Sequence, residues 1–402
     1  MRILMIEPCF ENYGGYFRAF GMAKALSKKK IKVNLVISSK EISFKVKKRE
    51  INENLIQYEL PRISKNFFIN GRILRGLFAC FFVLFGKYDL IHTFAIIQFE
   101  SNIPFLLCKI LGKKVVVDWD DYWTEADKLV PLYKKSPIIQ KYFIFCENKL
   151  QRLTKNITVT SSFLTGKAKS LQINNILKII NGVDLEQFNP MLKSKARKIL
   201  GIKPDTKIVL SFGHTFFKDR TLLLFQTFKE INHLDKNIRF WLNYDPLALL
   251  QDQNLAQKFD LKFIQKIENV GYLNPQNKLP KYLGATDMVL FMMGNYNTEK
   301  ACFPTRIGTY LNGGKVIAMN KTETEACRVL ENYKCAIIED DPKKIARRVI
   351  NVLNSPELRT QLERKVIKAK NDLSWDKLIL NLIDFYKKIL YNHKFGKKDN
   401  AK

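Results

Sequence analysis

Two stretches of this 402-residue chain set cations and hydroxyls beside glycine. In the first, Pro304, Thr305 and Arg306 open a helix, Gly313 and Gly314 end it, and Val316, Ile317 and Ala318 form a following buried strand. A helix start that offers free amides, a hydroxyl and a guanidinium attracts anions. Residues 285–291 read as a strand entering that loop, so the stretch is either half of a nucleotide-diphosphate pocket or an ordinary capped helix between two strands. In the second stretch, Gly213 stands at the carboxyl end of a strand, with Lys218 and Arg220 five and seven residues on. Cations there would overhang a switch-point crevice, hold a diphosphate and offset charge on a departing nucleotide. The plain alternative is a solvated loop with incidental charges.

A third group is acidic. Asp118, Asp120 and Asp121 follow the apolar run Val115, Val116 and Val117, where open α/β sheets bind ligands. Asp118-Trp119-Asp120 is an Asp-x-Asp, a pattern that can grip a divalent metal through a diphosphate. It also fits a substrate-facing edge without metal, or a simple helix cap at Asp121 with Trp119 and Trp123 packing. Near the amino terminus, Gly14 and Gly15 separate a strand from a helix and let a ligand approach the backbone, although a tight turn reads the same way. The Gly-x-Gly-x-x-Gly dinucleotide fingerprint is missing.

These groups need a scaffold that brings strand ends together. Short apolar runs alternate with amphipathic helical stretches, which argues for parallel sheets built from βαβ units. One series of strands is expected at 3–6, 33–37, 90–92, 115–117 and 157–160. A second is expected at 208–213, 238–242, 267–270, 288–291, 316–318 and 336–338. The Asn181-Gly182 turn, followed by Asp184 and Pro190, punctuates the space between the series. That places a junction at 185–200 and predicts a first domain over 1–185, a second over 186–373, and a terminal helix and tail over 374–402. Ser374 caps that helix, whose apolar residues fall at 379, 382, 383, 386, 389 and 390.

Length favours two domains, and a 46 % hydrophobic share excludes a disordered chain. The amino terminus reads as a first strand rather than a signal peptide, and seven scattered cysteines fit a reduced cytoplasm. No apolar run reaches the roughly 18–20 residues that span a bilayer. The formal charge of +30 calls for an anionic partner. Residues 28–87 alone carry fourteen Lys and Arg against four Glu, a net of +10, around the aromatic run 77–85. That run fits either a helix lying in a bilayer interface or a core helix of an α/β domain.

Taken in order, Gly14 and Gly15, Asn181-Gly182-Val183-Asp184 with Phe188 and Pro190, Gly213 with Lys218, and 303–308 with Gly314 resemble the GT-B glycosyltransferases. The resemblance is to the retaining branch called family four. Residues 87–92, 280–287 and Ser374-Trp375-Asp376 resemble further segments of it. The resemblance implies an α/β fold of two Rossmann-like domains facing across a cleft, with a carboxy-terminal helix crossing back onto the first. It implies that Lys218, Thr305 and Arg306 hold the donor diphosphate, that Gly271 and Tyr272 grip the base, and that Gly14 and Gly15 close over diphosphate and acceptor. On this basis Lys218, Asp118 and Arg306 are expected as catalytic groups. Gly14, Gly15, Gly213, His214, Arg220, Gly271, Tyr272, Pro304, Thr305 and Thr309 are expected at the donor, and Arg18, Asp120 and Asp121 on the acceptor side. Such enzymes are generally metal-independent, retain anomeric configuration and let the leaving phosphate take the acceptor proton. The chain departs from the pattern where two glutamates eight positions apart are usual: Ala301 and Thr309 stand there, with Glu299 offset by two from the first. His214 replaces a usual arginine.

The leading expectation is a sugar transfer from a nucleotide-sugar donor, with no cofactor and no metal, to a lipid-linked or cell-surface glycan acceptor. The enzyme would sit in the cytoplasm, peripheral to the anionic inner face of the cell membrane. The alternative is a catalytically degenerate GT-B binding or scaffold subunit. A nucleic-acid partner rests on charge alone, with no nucleic-acid-binding motif behind it.

Overall fold

A computed structural model describes residues 1–64, 71–125, 136–213 and 217–395. The chain divides into two compact units, the first made of Met1–Gly182, Lys300–Phe303 and Trp375–Lys402, the second of Val183–Glu299 and Pro304–Ser374. The divisions fall after Gly182 and Ser374, and the short run Lys300–Phe303 groups with the first unit although the sequence places it in the second.

The first unit holds an eight-stranded sheet. Its strands are β1 (Arg2–Phe10), β2 (Lys32–Ser38), β3 (Lys47–Asn52), β4 (Leu55–Leu60), β5 (Leu90–Phe94), β6 (Val115–Trp119), β7 (Asn156–Val159) and β8 (Asn175–Lys178). They lie in the order β3-β4-β2-β1-β5-β6-β7-β8, all parallel except the β3–β4 pair. The strand order reverses between β1 and β5, so the carboxyl ends of these strands form this unit's switch point.

The second unit holds a six-stranded parallel sheet of β9 (Ile208–Ser211), β10 (Arg239–Leu242), β11 (Ile267–Asn269), β12 (Met288–Leu290), β13 (Val316–Asn320) and β14 (Ala336–Glu339). Its order is β11-β10-β9-β12-β13-β14, with the switch between β9 and β12. Both central strands are fully buried, as a sheet covered by helices on both faces requires.

Every strand expected from apolar runs is present. Strands β3, β4 and β8 are additional. β3, Lys-Lys-Arg-Glu-Ile-Asn, is an edge strand exposed along most of its length, so it carries no apolar signature. The terminal helix Trp375–Phe395 packs on the helix Tyr16–Lys28 and buries Ile379, Leu382, Tyr386 and Ile389, the stripe its spacing predicts. Just before it, the Ser374 hydroxyl donates to the Asn371 carbonyl at 2.9 Å. Trp375 is wedged between two glycines. A Cβ at Gly21 would stand 2.2 Å from its Nε1, and one at Gly182 2.6 Å from its ring.

The helix Arg72–Phe85 covers one face and exposes the other. Its inward face is Arg75, Gly76, Ala79 and Val83. Gly76 faces the neighbouring helix Phe99–Ile110 so closely that a Cβ would meet the Phe99 carbonyl at 2.6 Å. Arg75, buried, donates to Glu100 at 2.7 Å. The large apolar residues point outward: Ile73, Leu74, Leu77, Phe81, Leu84 and Phe85 are all exposed, Phe85 by 75 %. No helix among the described residues is long and apolar enough to cross a membrane.

Candidate functional site

In the second unit the site grows from the end of β9. Gly213 adopts φ +126°, and a Cβ there would lie 2.5 Å from both Cδ and Nε of Arg306. Only glycine lets the Arg306 side chain cross the backbone at this point. Arg306 is held from the other side by its own helix, Thr305–Asn312, whose start at Pro304 has no side-chain cap. One turn on, Tyr310 is buried and donates its hydroxyl to the Phe212 carbonyl at 2.6 Å, which locks this helix to the β9 loop. The Gly213 amide donates to Asn243 at 3.1 Å. Lys218 opens the helix Lys218–Leu234 and is exposed. Gly213 and Arg306 thus pack on each other at the end of β9, with Thr305 beside Arg306 at the helix start, and Lys218 opens the helix that follows β9 in the chain. His214 lies outside the described residues.

Arg220 is placed differently from a free phosphate-binding cation. Its guanidinium lies 4.5 Å from the Phe217 ring centre and forms an ion pair with Glu299, which is 2 % exposed. Glu299 also stands against Gly294, where a Cβ would meet its Oε2 at 2.3 Å. A hollow beside Gly213 is lined by Ser211, Arg220, Leu224, Phe291 and Met292. Thr309 is buried and donates to Gln187 at 3.1 Å. Gly271, at φ +68°, and the exposed Tyr272 follow β11, two strands from β9.

In the first unit Gly14 and Gly15 join β1 to the helix Tyr16–Lys28. A Cβ at Gly15 would stand 2.9 Å from Oε2 of Glu7, a residue that sequence reasoning did not single out. Glu7 is buried at the end of β1 and accepts from the Cys9 amide at 2.9 Å. Desolvation, reinforced by the nearby Asp118 and Asp121 carboxylates, pushes its pKa up to about 7.

Two of the expected site residues are buried: the side chains of Arg18, expected on the acceptor side, and Asp118, expected as a catalytic group, are 1 % and 0 % exposed. They bind each other, Nε to Oδ1 at 2.8 Å and Nη2 to Oδ2 at 2.9 Å. Asp118 also accepts from Thr158, whose hydroxyl lies 3.1 Å from His92 Nε2. His92 Nδ1 in turn meets the Tyr386 hydroxyl at 2.6 Å. Burial pulls the His92 pKa down to about 4, so the ring is neutral at physiological pH. This polar chain crosses the core from the terminal helix to Arg18.

Asp120 and Asp121 are half-buried beyond the strand end. Desolvation and the adjacent carboxylates hold Asp120 well above the ordinary range; desolvation pushes Asp121 up to about 6. Their loop is gripped by Glu147, in a single π-helical turn Cys146–Leu150. Glu147 accepts from Trp119 Nε1 at 3.0 Å, the Trp123 amide at 2.9 Å, and the amide and hydroxyl of Thr124 at 2.6 Å. Among the described residues no group of three His, Cys, Asp or Glu is arranged to hold a metal ion.

No family model and no curated relative matches the sequence. Solved structures do match over nearly the whole chain. Sucrose-phosphate synthase from Thermosynechococcus elongatus aligns with a TM-score of 0.70 at 14 % identity, covering 98 % of this chain and 100 % of that one. WaaG, a glycosyltransferase of lipopolysaccharide biosynthesis, aligns with a TM-score of 0.66 at 13 % identity, covering 96 % and 99 %. This chain has the GT-B fold. Anabaena HepE in complex with UDP gives a TM-score of 0.63 at 14 % identity over 96 % of this chain and 100 % of that one. These neighbours are similar in GT-B architecture; at such identities the shared property is the fold.

Proposed function

We propose that the protein is a metal-independent, retaining glycosyltransferase that moves a sugar from a nucleotide-sugar donor to a lipid-linked or cell-surface glycan acceptor. The observation that carries this reading is the arrangement at the end of β9. Arg306 lies across Gly213 at the end of β9, Thr305 starts an uncapped helix, and Lys218 opens the helix that follows β9, which supports a diphosphate site of cations and amides in this unit. The leaving phosphate would take the acceptor proton, which needs no side-chain base; Asp118, neutralised by Arg18, is withdrawn from that role. Because HepE is known with UDP, uridine is the first base to test.

The partner surface in this reading is an anionic bilayer at the cytoplasmic face of the membrane. The outward Leu77, Phe81, Leu84 and Phe85 stripe supports it, set within the +10 region, because apolar insertion and basic attraction act together there. Incubation with UDP-, GDP- and ADP-sugars plus lipid acceptors should release nucleoside diphosphate, unaffected by EDTA and abolished in Lys218→Ala. Inertness of the parent under all donors would leave the scaffold reading, which the Thr309–Gln187 bond favours because a ribose ligand is lacking at that position.

A further inference from the structure

In the first unit, the turn that follows β2 carries an apolar tip that the fold does not use. Residues 42–46 read Ile-Ser-Phe-Lys-Val, and Ile42, Phe44 and Val46 are all exposed, Phe44 by 77 %. The turn is nevertheless built rather than slack. The Ser43 hydroxyl accepts from the Lys45 amide and donates to the Lys45 carbonyl, each at 3.2 Å. The Ser43 backbone pairs with that of Arg62 in both directions, at 2.9 and 3.0 Å. The Arg62 guanidinium donates to the Lys40 carbonyl at 2.9 Å and closes the base of the turn. This order leaves a phenylalanine standing in water at a tip where Gly, Asn or Ser is usual. Residues 40–50 hold Lys40, Lys45, Lys47, Lys48 and Arg49 against Glu41 and Glu50. Glu41 pairs with Lys47 at 3.3 Å and Glu50 with Lys48 at 2.8 Å. Lys40 and Lys45, on either side of the tip, meet no carboxylate among the described residues.

An apolar tip flanked by uncompensated lysines matches a layered partner, with hydrocarbon at the centre and anionic headgroups around it. The turn also adjoins the apolar stripe of the helix Arg72–Phe85. The Pro61 carbonyl accepts from Arg75 at 3.3 Å, and a Cβ at Gly71 would meet Ile63 at 3.1 Å. Residues 61–63 thus hold both the base of the turn and the start of that helix, where Ile73 and Leu74 are exposed. We propose that the turn 42–46 inserts into an anionic bilayer as a second anchor, separate from the helix stripe. The proposal rests on the membrane reading for its partner, and on the turn's own geometry for the insertion. One helix lying on a surface leaves its unit free to roll about the helix axis; a second contact fixes that roll. The turn follows the carboxyl end of β2, and β2 runs parallel to β1. The edge held at the bilayer is therefore the one where Gly14 and Gly15 follow β1, the edge that a lipid-linked acceptor would reach.

Sedimentation of the full chain with phosphatidylglycerol vesicles tests the insertion. Phe44→Ser should weaken binding roughly tenfold to a hundredfold, the transfer of one phenylalanine side chain. Lys45→Gln should weaken it about fivefold, the attraction of one lysine to an anionic surface. The melting temperature should stay at the parent's in both, because neither side chain is buried. Phe44→Trp should bind as the parent does, and its added emission should be quenched by vesicles with brominated acyl chains, with the parent's own tryptophan emission as the baseline. Parental affinity in Phe44→Ser overturns the proposal and leaves the tip to a protein pocket. Absence of added quenching in Phe44→Trp overturns it as well. If the Phe44 variants bind as the parent does while Leu77→Ser with Phe81→Ser loses binding, the helix is the sole anchor, and the membrane reading stands without the turn. A parent chain that binds no vesicles sinks the membrane reading and the second anchor together.

Discussion

Replacing Asp118 by Asn tests whether its carboxylate belongs to the core or to the chemistry. The pair it forms with Arg18 has two short charge-assisted bonds, at 2.8 and 2.9 Å, between side chains that are 0–1 % exposed. Each hydrogen bond to a charged group contributes about 1.5–3 kcal/mol. Breaking such a pair from one side, which strands a buried charge, costs about 3–5 kcal/mol, a large part of an ordinary domain's stability. Three of the four tryptophans, Trp119, Trp123 and Trp375, lie in the first unit, so urea unfolding followed by tryptophan emission reports mainly on that unit. Asp118→Asn should lower the midpoint by the equivalent of about 3–5 kcal/mol. The double variant Arg18→Met with Asp118→Leu should recover at least half of that, because no lone charge remains. A cost below about 1 kcal/mol for Asp118→Asn, the range of solvated pairs, would refute this account and return Asp118 to the list of groups that can meet substrate.

Gly213→Ala should cost about 1–3 kcal/mol through a strained φ and a clash with Arg306, and should weaken nucleoside diphosphate binding in calorimetric titration. Glu7 gives a pH signature. Its folded pKa of about 7 lies above the ordinary 4.5, so between those values the folded state holds a proton that the unfolded state has lost. Stability is therefore present below pH 4.5 and lost as pH rises to about 7, at up to about 1.4 kcal/mol per pH unit from this group. Glu7→Gln should flatten that part of the denaturation profile, and an unchanged slope would count against the burial argument. Leu77→Ser with Phe81→Ser should reduce binding to phosphatidylglycerol vesicles roughly a hundredfold, from the lost apolar transfer energy, and leave the melting temperature near the parent's. Equal binding in sedimentation assays would show that the stripe does not enter the bilayer.

Some of this architecture was readable from composition along the chain, and the reasons are local. Strands such as Val115–Trp119 and Met288–Leu290 are buried on both faces and announce themselves as apolar runs. The terminal helix shows a regular stripe. The Gly213 and Arg306 stretches follow from turn and helix-start chemistry, although nothing in sequence shows that one packs on the other. What stayed hidden depends on partners far away in the chain. Asp118 reads as a ligand-facing acid until Arg18, one hundred residues earlier, is seen to neutralise it. Ala301 reads as a lost ligand until Trp119 and Tyr122 are seen around it. The helix Arg72–Phe85 could be assigned to core or surface only once Gly76 was found against its neighbour, because amphipathicity by itself does not say which side is covered.

The return of the last helix to the first unit has a consequence for synthesis. While a ribosome is still translating residues beyond 182, the early half of the nascent chain lacks Trp375, Leu382 and Tyr386, and His92 has no hydroxyl to meet. The middle portion, 183–374, can mature first, while the opening portion waits with Met22 and its neighbours uncovered, a natural client for chaperones. A stop codon before position 375 would thus disable the part made first, not the part made last.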